Sequence, residues 1–150
     1  MRRGAPVLLL VLASTASAQP DGPFAAVPDL DPLALARVID REGDGVVLEA
    51  LEGDAPPLAA IHAAPFLRAP EQALGPLARI AAGRDPWRAP AAMQAISRIA
   101  SGPVLDGMTS REGEPLDDVL ASLDQLAADA TAREDLRGAA ALARSQLTMP

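Results

Sequence analysis

The sequence predicts an all-α protein, and three observations lead to that prediction. The chain is rich in alanine, has no tyrosine and is only 2% aromatic, a composition that favours helix over sheet. Apolar residues recur at the three- and four-residue spacing of helices. Residues 54–68 and 83–97 place proline, a large apolar residue and alanines in the same order, 29 positions apart. A period of this length predicts a repeated pair of helices.

The first residues carry the pattern of a secretory signal peptide. A basic start precedes an apolar run over residues 5–13, and small residues precede a cleavage site between Ala18 and Gln19. The apolar run is too short to cross a membrane. We therefore expect export to a periplasm or to the medium, without stable membrane insertion. The predicted organisation is a signal peptide at 1–18, a proline-rich flexible leader at 19–29 and a helical repeat domain at 30–150.

Charge and cysteine content narrow the classes of function. Loss of the two signal-peptide arginines takes the net charge from −7 to −9, which argues against nucleic acid as a partner because it requires a basic surface. The chain has no cysteine, so the exported protein must be held together by core packing alone. The mature length fits one domain, and we expect a monomer.

Capping signals and periodicity place the helices of the first half. Asp31 followed by Pro32 is an N-cap followed by proline at the first helical position, where the missing N–H is no loss. Apolar spacing then continues to a stop at Gly43. Three further helices are predicted over about 46–52, 57–67 and 71–82.

The second half begins with the same signal. Asp85 followed by Pro86 opens a helix that ends at Gly102 and carries a buried stripe, and residues 102–114 form a loop. Helices follow over about 115–128 and from Thr131 towards Leu147, the last one opened by a capping box between Thr131 and Glu134. The prolines at 65, 76 and 90 require either later helix starts or kinks.

The echo between the two quoted segments extends to equivalent core positions. A shift of 29 puts Leu58 on Trp87 and Leu67 on Ile96, and a further shift of 49 puts Trp87 on Leu136. Trp87 is therefore predicted to pack in the core, with a role as a binding anchor as the alternative. Repeats predict contacts between neighbouring units only. The competing arrangement, an antiparallel helical bundle, predicts that the last helix packs against the helix of Leu58.

This pattern resembles short HEAT-type repeats, with two helices per unit, an aspartate–proline turn and the order large apolar, Arg, two spacers, Ala-Ala. The best match is Trp87-Arg88 to Ile96, and the resemblance covers about residues 44–148. It implies a right-handed α-α solenoid of about three helix pairs, whose second helices line the concave side. It also implies a non-catalytic scaffold for protein–protein interaction.

Residues with catalytic or metal-binding chemistry are scattered. Asp40, Glu42 and Asp44 imitate the start of a calcium loop, but its closing position is Leu51, so a polar turn is the favoured interpretation. His62 has no metal or triad partner in the sequence, and the acids of the sixth helix are predicted to form a solvated face. The sequence predicts no catalytic, cofactor or metal site.

Arginines supply the remaining binding hypothesis. An acidic segment of a partner protein is predicted to dock at arginines that edge the concave face, namely Arg84, Arg88, Arg98, Arg137 and Arg144. Three alternatives stay open: a hydrolase that uses the acidic helix, a lyase-like HEAT protein that handles a chromophore, and an eroded fragment of a longer repeat array.

Overall fold

The computed structural model describes residues 23–24, 31–102 and 114–148, and the regular structure of these residues is entirely helical. The all-α prediction is confirmed. The predicted signal peptide at 1–18, its cleavage site and the centre of the predicted loop, 103–113, lie outside the described residues. Within the described ranges, no helix is long and apolar enough to cross a membrane. The helices are α1 (Pro32–Glu42), α2 (Asp44–Glu52), α3 (Leu58–Ala63), α4 (Leu74–Ala82), α5 (Arg88–Ala100), α6 (Glu114–Ala128) and α7 (Glu134–Thr148), with 3-10 helices at Ala64–Phe66 and Pro70–Ala73.

The first helix begins and ends as its sequence predicts. The Asp31 carboxylate accepts a hydrogen bond from the Leu33 N–H at 3.0 Å, and Pro32 occupies the first helical position. Gly43 ends α1 with a φ of 84°, in the left-handed region that glycine adopts without steric cost. Its N–H donates to the Ile39 carbonyl at 2.7 Å. The next helix then begins directly at Asp44.

The second aspartate–proline signal produces a different start. The Asp85 carboxylate accepts from the N–H groups of Trp87 at 2.9 Å and Arg88 at 2.8 Å. These two bonds hold residues 86 and 87 in a turn, so α5 begins at Arg88, two residues after the proline. The same dipeptide therefore gives a helix start in one case and a turn in the other.

The prolines act according to their distance from a helix start. Pro76 and Pro90 lie in the first turns of α4 and α5, where a backbone N–H has no intrahelical partner to lose. Pro65 lies further along, and there α3 gives way to a 3-10 turn over Ala64–Phe66. The third helix is thus shorter than the predicted 57–67, because proline removes a hydrogen bond from a helix interior.

The predicted capping box of the last helix is wrong. The backbone N–H and the hydroxyl of Thr131 both donate to the Asp129 carboxylate, at 2.8 and 2.6 Å. Asp129 thereby closes a turn before the helix, and α7 begins only at Glu134. Because the Thr131 hydroxyl and N–H both bond to Asp129, Glu134 does not form the capping box that the spacing predicts.

The helices pack in two rows. One row contains α2, α4 and α6, and the other contains α3, α5 and α7, with each helix packed against its neighbours in the row. The rows are joined by contacts of α2 with α3, α4 with α5 and α6 with α7, and α1 covers the α2–α3 end. The contact of α3 with α7 is at most marginal.

The core fills the space between the rows, and the 29-residue echo partly survives in it. Ala60 and Ala89 are both buried, as are Leu67 and Ile96. Trp87 is 74% exposed, however, so its predicted core position is wrong. The 49-residue shift is also wrong in register, because it aligns the exposed Ala141 with the fully buried Ala92.

One residue of the predicted leader belongs to the core. Phe24 is 5% exposed and lies in the same apolar cluster as the helices. The proline-rich composition around it predicts only flexibility, and a lone aromatic has no periodicity by which its burial could be recognised. Phe24 therefore adds a contact to the domain from outside its predicted boundary at residue 30.

Candidate protein-interaction surface

A groove of about 520 Å³ lies between α3, α5 and α7, and we call it the second-row groove. His62 of α3 stands at one side, Gln94 and Ser97 of α5 lie in the middle, and Ala139 of α7 stands at the other side. Its remaining lining residues are Pro90, Ala91, Met93, Asp135 and Leu136. The groove exists because three helices of one row lie side by side and leave a shallow channel between their outer faces.

His62 is the titratable group on the α3 side. Partial burial lowers the pKa of its imidazole below the ordinary value, and the positive charge of Arg98 lowers the pKa further. Both effects disfavour the imidazolium. His62 is therefore a neutral hydrogen-bonding group at neutral pH, placed close enough to Arg98 to be influenced by its charge.

The α7 side carries a carboxylate whose charge is compensated within the chain. Arg133 donates to both oxygens of Asp135, at 3.0 and 2.6 Å. These hydrogen bonds lower the pKa of Asp135. Arg98, in contrast, is exposed and has no ion pair or hydrogen bond to any residue in the described part of the chain. Arg98 is not a lining residue, and its positive charge acts on the groove through the lining residue His62.

Leu142 lies on the same face of α7 as two residues that line the groove. It follows Asp135 and Ala139 at intervals of four and three residues, which places all three on one strip of the helix. Its side chain is 58% exposed. An exposed apolar side chain therefore lies about one helical turn beyond the lining residue Ala139.

The five arginines predicted to bind a partner do not converge. Arg98 does not line the second-row groove, but it is close enough to the lining residue His62 to lower the pKa of that imidazole. Arg144 donates to Asp124 at 2.8 Å and so joins α7 to α6. Arg137 is half-buried in α7, and its buried Nε atom has no hydrogen-bond partner among the residues that the structure describes. Arg84 is exposed in the turn between α4 and α5.

Arg88 holds two turns together. Its Nη1 atom donates to Asp85 at 2.6 Å, within its own turn. Its Nε atom donates to the Pro56 carbonyl at 2.7 Å, in the turn between α2 and α3. Both contacts are inside the chain, so Arg88 has a structural task in coupling neighbouring helix pairs.

The calcium-like segment forms helices instead of a loop. Residues 40–51 lie in α1 and α2 apart from Gly43. The Asp44 carboxylate accepts from the N–H groups of Arg68 at 2.9 Å and Ala69 at 3.3 Å, and so anchors the segment after α3. Across the described ranges, no three acidic or histidine side chains converge as a metal site.

The acids of α6 lie on its outer face. Asp117, Asp118 and Asp124 are exposed, and Asp124 forms the ion pair with Arg144. The predicted solvated face is confirmed for these three residues, whereas Glu112 lies outside the described residues.

Comparisons with protein-family models, curated proteins and solved structures find no match for this chain.

Proposed function

We propose that this protein is an exported, non-catalytic scaffold that binds an acidic segment of a partner protein in the second-row groove. The observation that carries the proposal is the groove itself, which combines polar and apolar side chains of three helices and lies close enough to Arg98 for its charge to act on the lining residue His62. A groove of this kind can hold an extended segment with contacts to successive helices.

The packing order supports a HEAT-like arrangement. Three helix pairs, α2–α3, α4–α5 and α6–α7, contact their neighbours in sequence, as expected for repeats that bury their apolar faces by stacking. The marginal contact of α3 with α7 disfavours the closed bundle. In this proposal α1 caps the first pair, and the row of α3, α5 and α7 is the concave side.

Recognition in the groove combines three kinds of contact. The Arg98 guanidinium pairs with a carboxylate of the partner, since charge-assisted hydrogen bonds are the strongest available there. Gln94 and Ser97 donate to or accept from the partner backbone. Ala139 and Leu142 contact an apolar side chain of the segment. The overall negative charge of the chain restricts an acidic partner to this locally positive position.

The test uses the mature chain and a fluorescein-labelled peptide that alternates glutamate with alanine and leucine. Fluorescence anisotropy should detect binding that weakens as NaCl rises from about 50 to about 500 mM, because salt screens the ion pair. Arg98→Glu should raise the Kd at least about tenfold, the effect of losing a charge-assisted contact. The matched control is Arg37→Glu, which changes an exposed arginine of α1 by the same charge.

The His62 ring provides a second readout in the same complex. A bound carboxylate offsets the field of Arg98, so the pKa of His62 should rise when the peptide is added, and NMR titration of the imidazole measures that rise. Equal losses of affinity in the Arg37 and Arg98 variants, or an unchanged imidazole, would refute the proposed site.

A further inference from the structure

Trp87 is the one tryptophan of the chain, and it is 74% exposed. The turn that carries it is held by two bonds to the Asp85 carboxylate and by the bond from Arg88 to Pro56. The indole is thus presented on a fixed backbone. Tryptophan on a preorganised surface is typical of the residues that dominate binding energy in protein interfaces.

A second groove, which we call the turn groove, lies beside this turn. It measures about 430 Å³ and runs between the α4–α5 turn and the α6–α7 turn. Pro86 lines it and Trp87 does not, so within one chain the indole leaves the groove open. Its apolar lining includes Ala81, Ala82, Ala89, Pro90, Leu126 and Leu136.

The charges around the turn groove cancel. Arg84 and Arg133 line it together with Asp85 and Asp129. A ligand is therefore recognised there by shape and apolar contact, not by net charge. An indole suits such a site, since it buries a large apolar surface and needs one acceptor for its N–H.

We propose that the occupant is the Trp87 side chain of a second copy of this chain, in a two-fold symmetric dimer. The projecting indole and the receiving groove lie next to each other on one edge, so a two-fold axis through that edge fills both grooves at once. Such an isologous pairing is closed at two copies, and in it each Trp87 side chain fills the turn groove of the other copy. At protein concentrations above the dissociation constant, this dimer replaces the monomer expected from the sequence.

The dimer is weak, for two reasons. Two indoles bury roughly 400 Å² of side-chain surface, a minor part of the roughly 1,200 Å² that stable specific interfaces bury. In addition, two mature copies, each with an expected net charge of −9 once Arg2 and Arg3 are removed, repel at long range. Salt screens that repulsion, so self-association should strengthen with NaCl, opposite to the acidic peptide in the second-row groove.

Sedimentation equilibrium and tryptophan emission of the mature chain test the proposal together. As the protein concentration rises, the mass should approach that of a dimer while the emission maximum shifts to shorter wavelength, because the single indole loses contact with water. Trp87→Ala should abolish the dimer. Ala82→Gln, which fills the mouth of the turn groove, should raise the self-association Kd at least about tenfold.

Leu33→Ala is the matched control, because it removes another exposed apolar side chain, 68% exposed in α1, that has no part in either proposed site. It should leave the Kd of self-association unchanged. A monomeric mass with unshifted emission at the highest soluble concentration would overturn the proposal, as would equal dimer formation by the Trp87→Ala variant. Failure of this test leaves peptide binding at Arg98 unaffected, so the two proposals fail separately.

Discussion

The two echoed segments, 54–68 and 83–97, share the same order of residue types but fold differently. The first gives the six-residue α3 followed by a 3-10 turn, whereas the second contributes most of the uninterrupted 13-residue α5. Proline explains the difference in length: Pro65 falls beyond the first turn of its helix, and Pro90 falls within the first turn of its own. A repeat of residue types therefore does not guarantee a repeat of helix length.

The same segments agree where they face the core. Ala63 and Ala92 are both fully buried, and the large residues Leu67 and Ile96 are at most 5% exposed. They disagree at the helix starts, where Leu58 is half-buried against the core and Trp87 is exposed. The equivalence of the two copies thus holds for their shared packing face and ends at their turns.

The largest expected effect tests the shared face. Leu67→Ala and Ile96→Ala should each lower the free energy of unfolding by about 2–5 kcal/mol, because both leave a cavity in a packed core. Urea denaturation of the mature chain at low micromolar concentration measures the loss. Similar values for the two variants would support the equivalence, whereas a loss below about 1 kcal/mol at either site would break it.

The next effect tests the turn that only the second copy has. Asp85→Ala removes the acceptor for two backbone N–H groups in the turn before α5 and should lower the Tm by roughly 3–6 °C, as expected for the loss of local hydrogen bonds in a domain of this length. Asp54→Ala is the control, since Asp54 is an exposed acid in the connection between α2 and α3, where the first copy has no aspartate–proline turn.

The pH dependence of the Asp85 effect has a defined sign. Hydrogen bonds from the N–H groups of Arg88 and Trp87 lower the pKa of Asp85. Its contribution is therefore complete above the unfolded-state pKa of about 3.9 and disappears as the pH falls through the lower folded-state pKa. The Tm difference between wild type and Asp85→Ala should persist at pH 5 and vanish in stronger acid.

The packing faces of the helices were easier to predict from the sequence than their turns. Apolar spacing and glycine stops placed most helix ends within two residues, because these signals act within one helix. Hydrogen bonds between side chains and backbone were harder to predict from the sequence. The N–H and hydroxyl of Thr131 donate to Asp129, so the predicted capping box with Glu134 does not form. Burial of Phe24 depends on a contact with the helices of the core, which no local sequence pattern encodes.

A smaller effect tests the helix starts. Leu58→Ala should lower the free energy of unfolding by about 1 kcal/mol, as expected for a half-buried side chain packed against the core. Trp87→Ala should change it by less than about 0.5 kcal/mol, because its side chain is mostly in water already. Urea denaturation at concentrations where the protein is monomeric makes the comparison. A loss of 2 kcal/mol or more at Trp87 would restore the core role predicted from the repeat.

The binding surface was less predictable than the fold. The sequence identifies arginines, but not which of them the fold already uses, and Arg88 and Arg144 turn out to bond within the chain. Arg98 differs from them only through its position beside His62, two helices apart in the sequence. The exposure of Trp87 was not predicted because the repeat aligns it with Leu58 and Leu136. An alignment of residue types carries no information on the direction of a turn.

The smallest effect tests a position where one copy titrates and the other does not. His62 corresponds to Ala91 by the 29-residue shift, and its pKa is lowered by burial and then by Arg98. The unfolded chain, with a histidine pKa of about 6.5, binds more protons than the folded chain just below that pH. Stability is therefore complete above pH 6.5 and falls as the pH drops towards the folded-state pKa. Thermal melts from pH 8 to pH 5 should show this fall in wild type and its loss in His62→Gln. Arg98→Gln, which removes one of the two causes, should reduce the fall without abolishing it, and an Arg98→Gln profile identical to wild type would contradict the proximity of the two side chains.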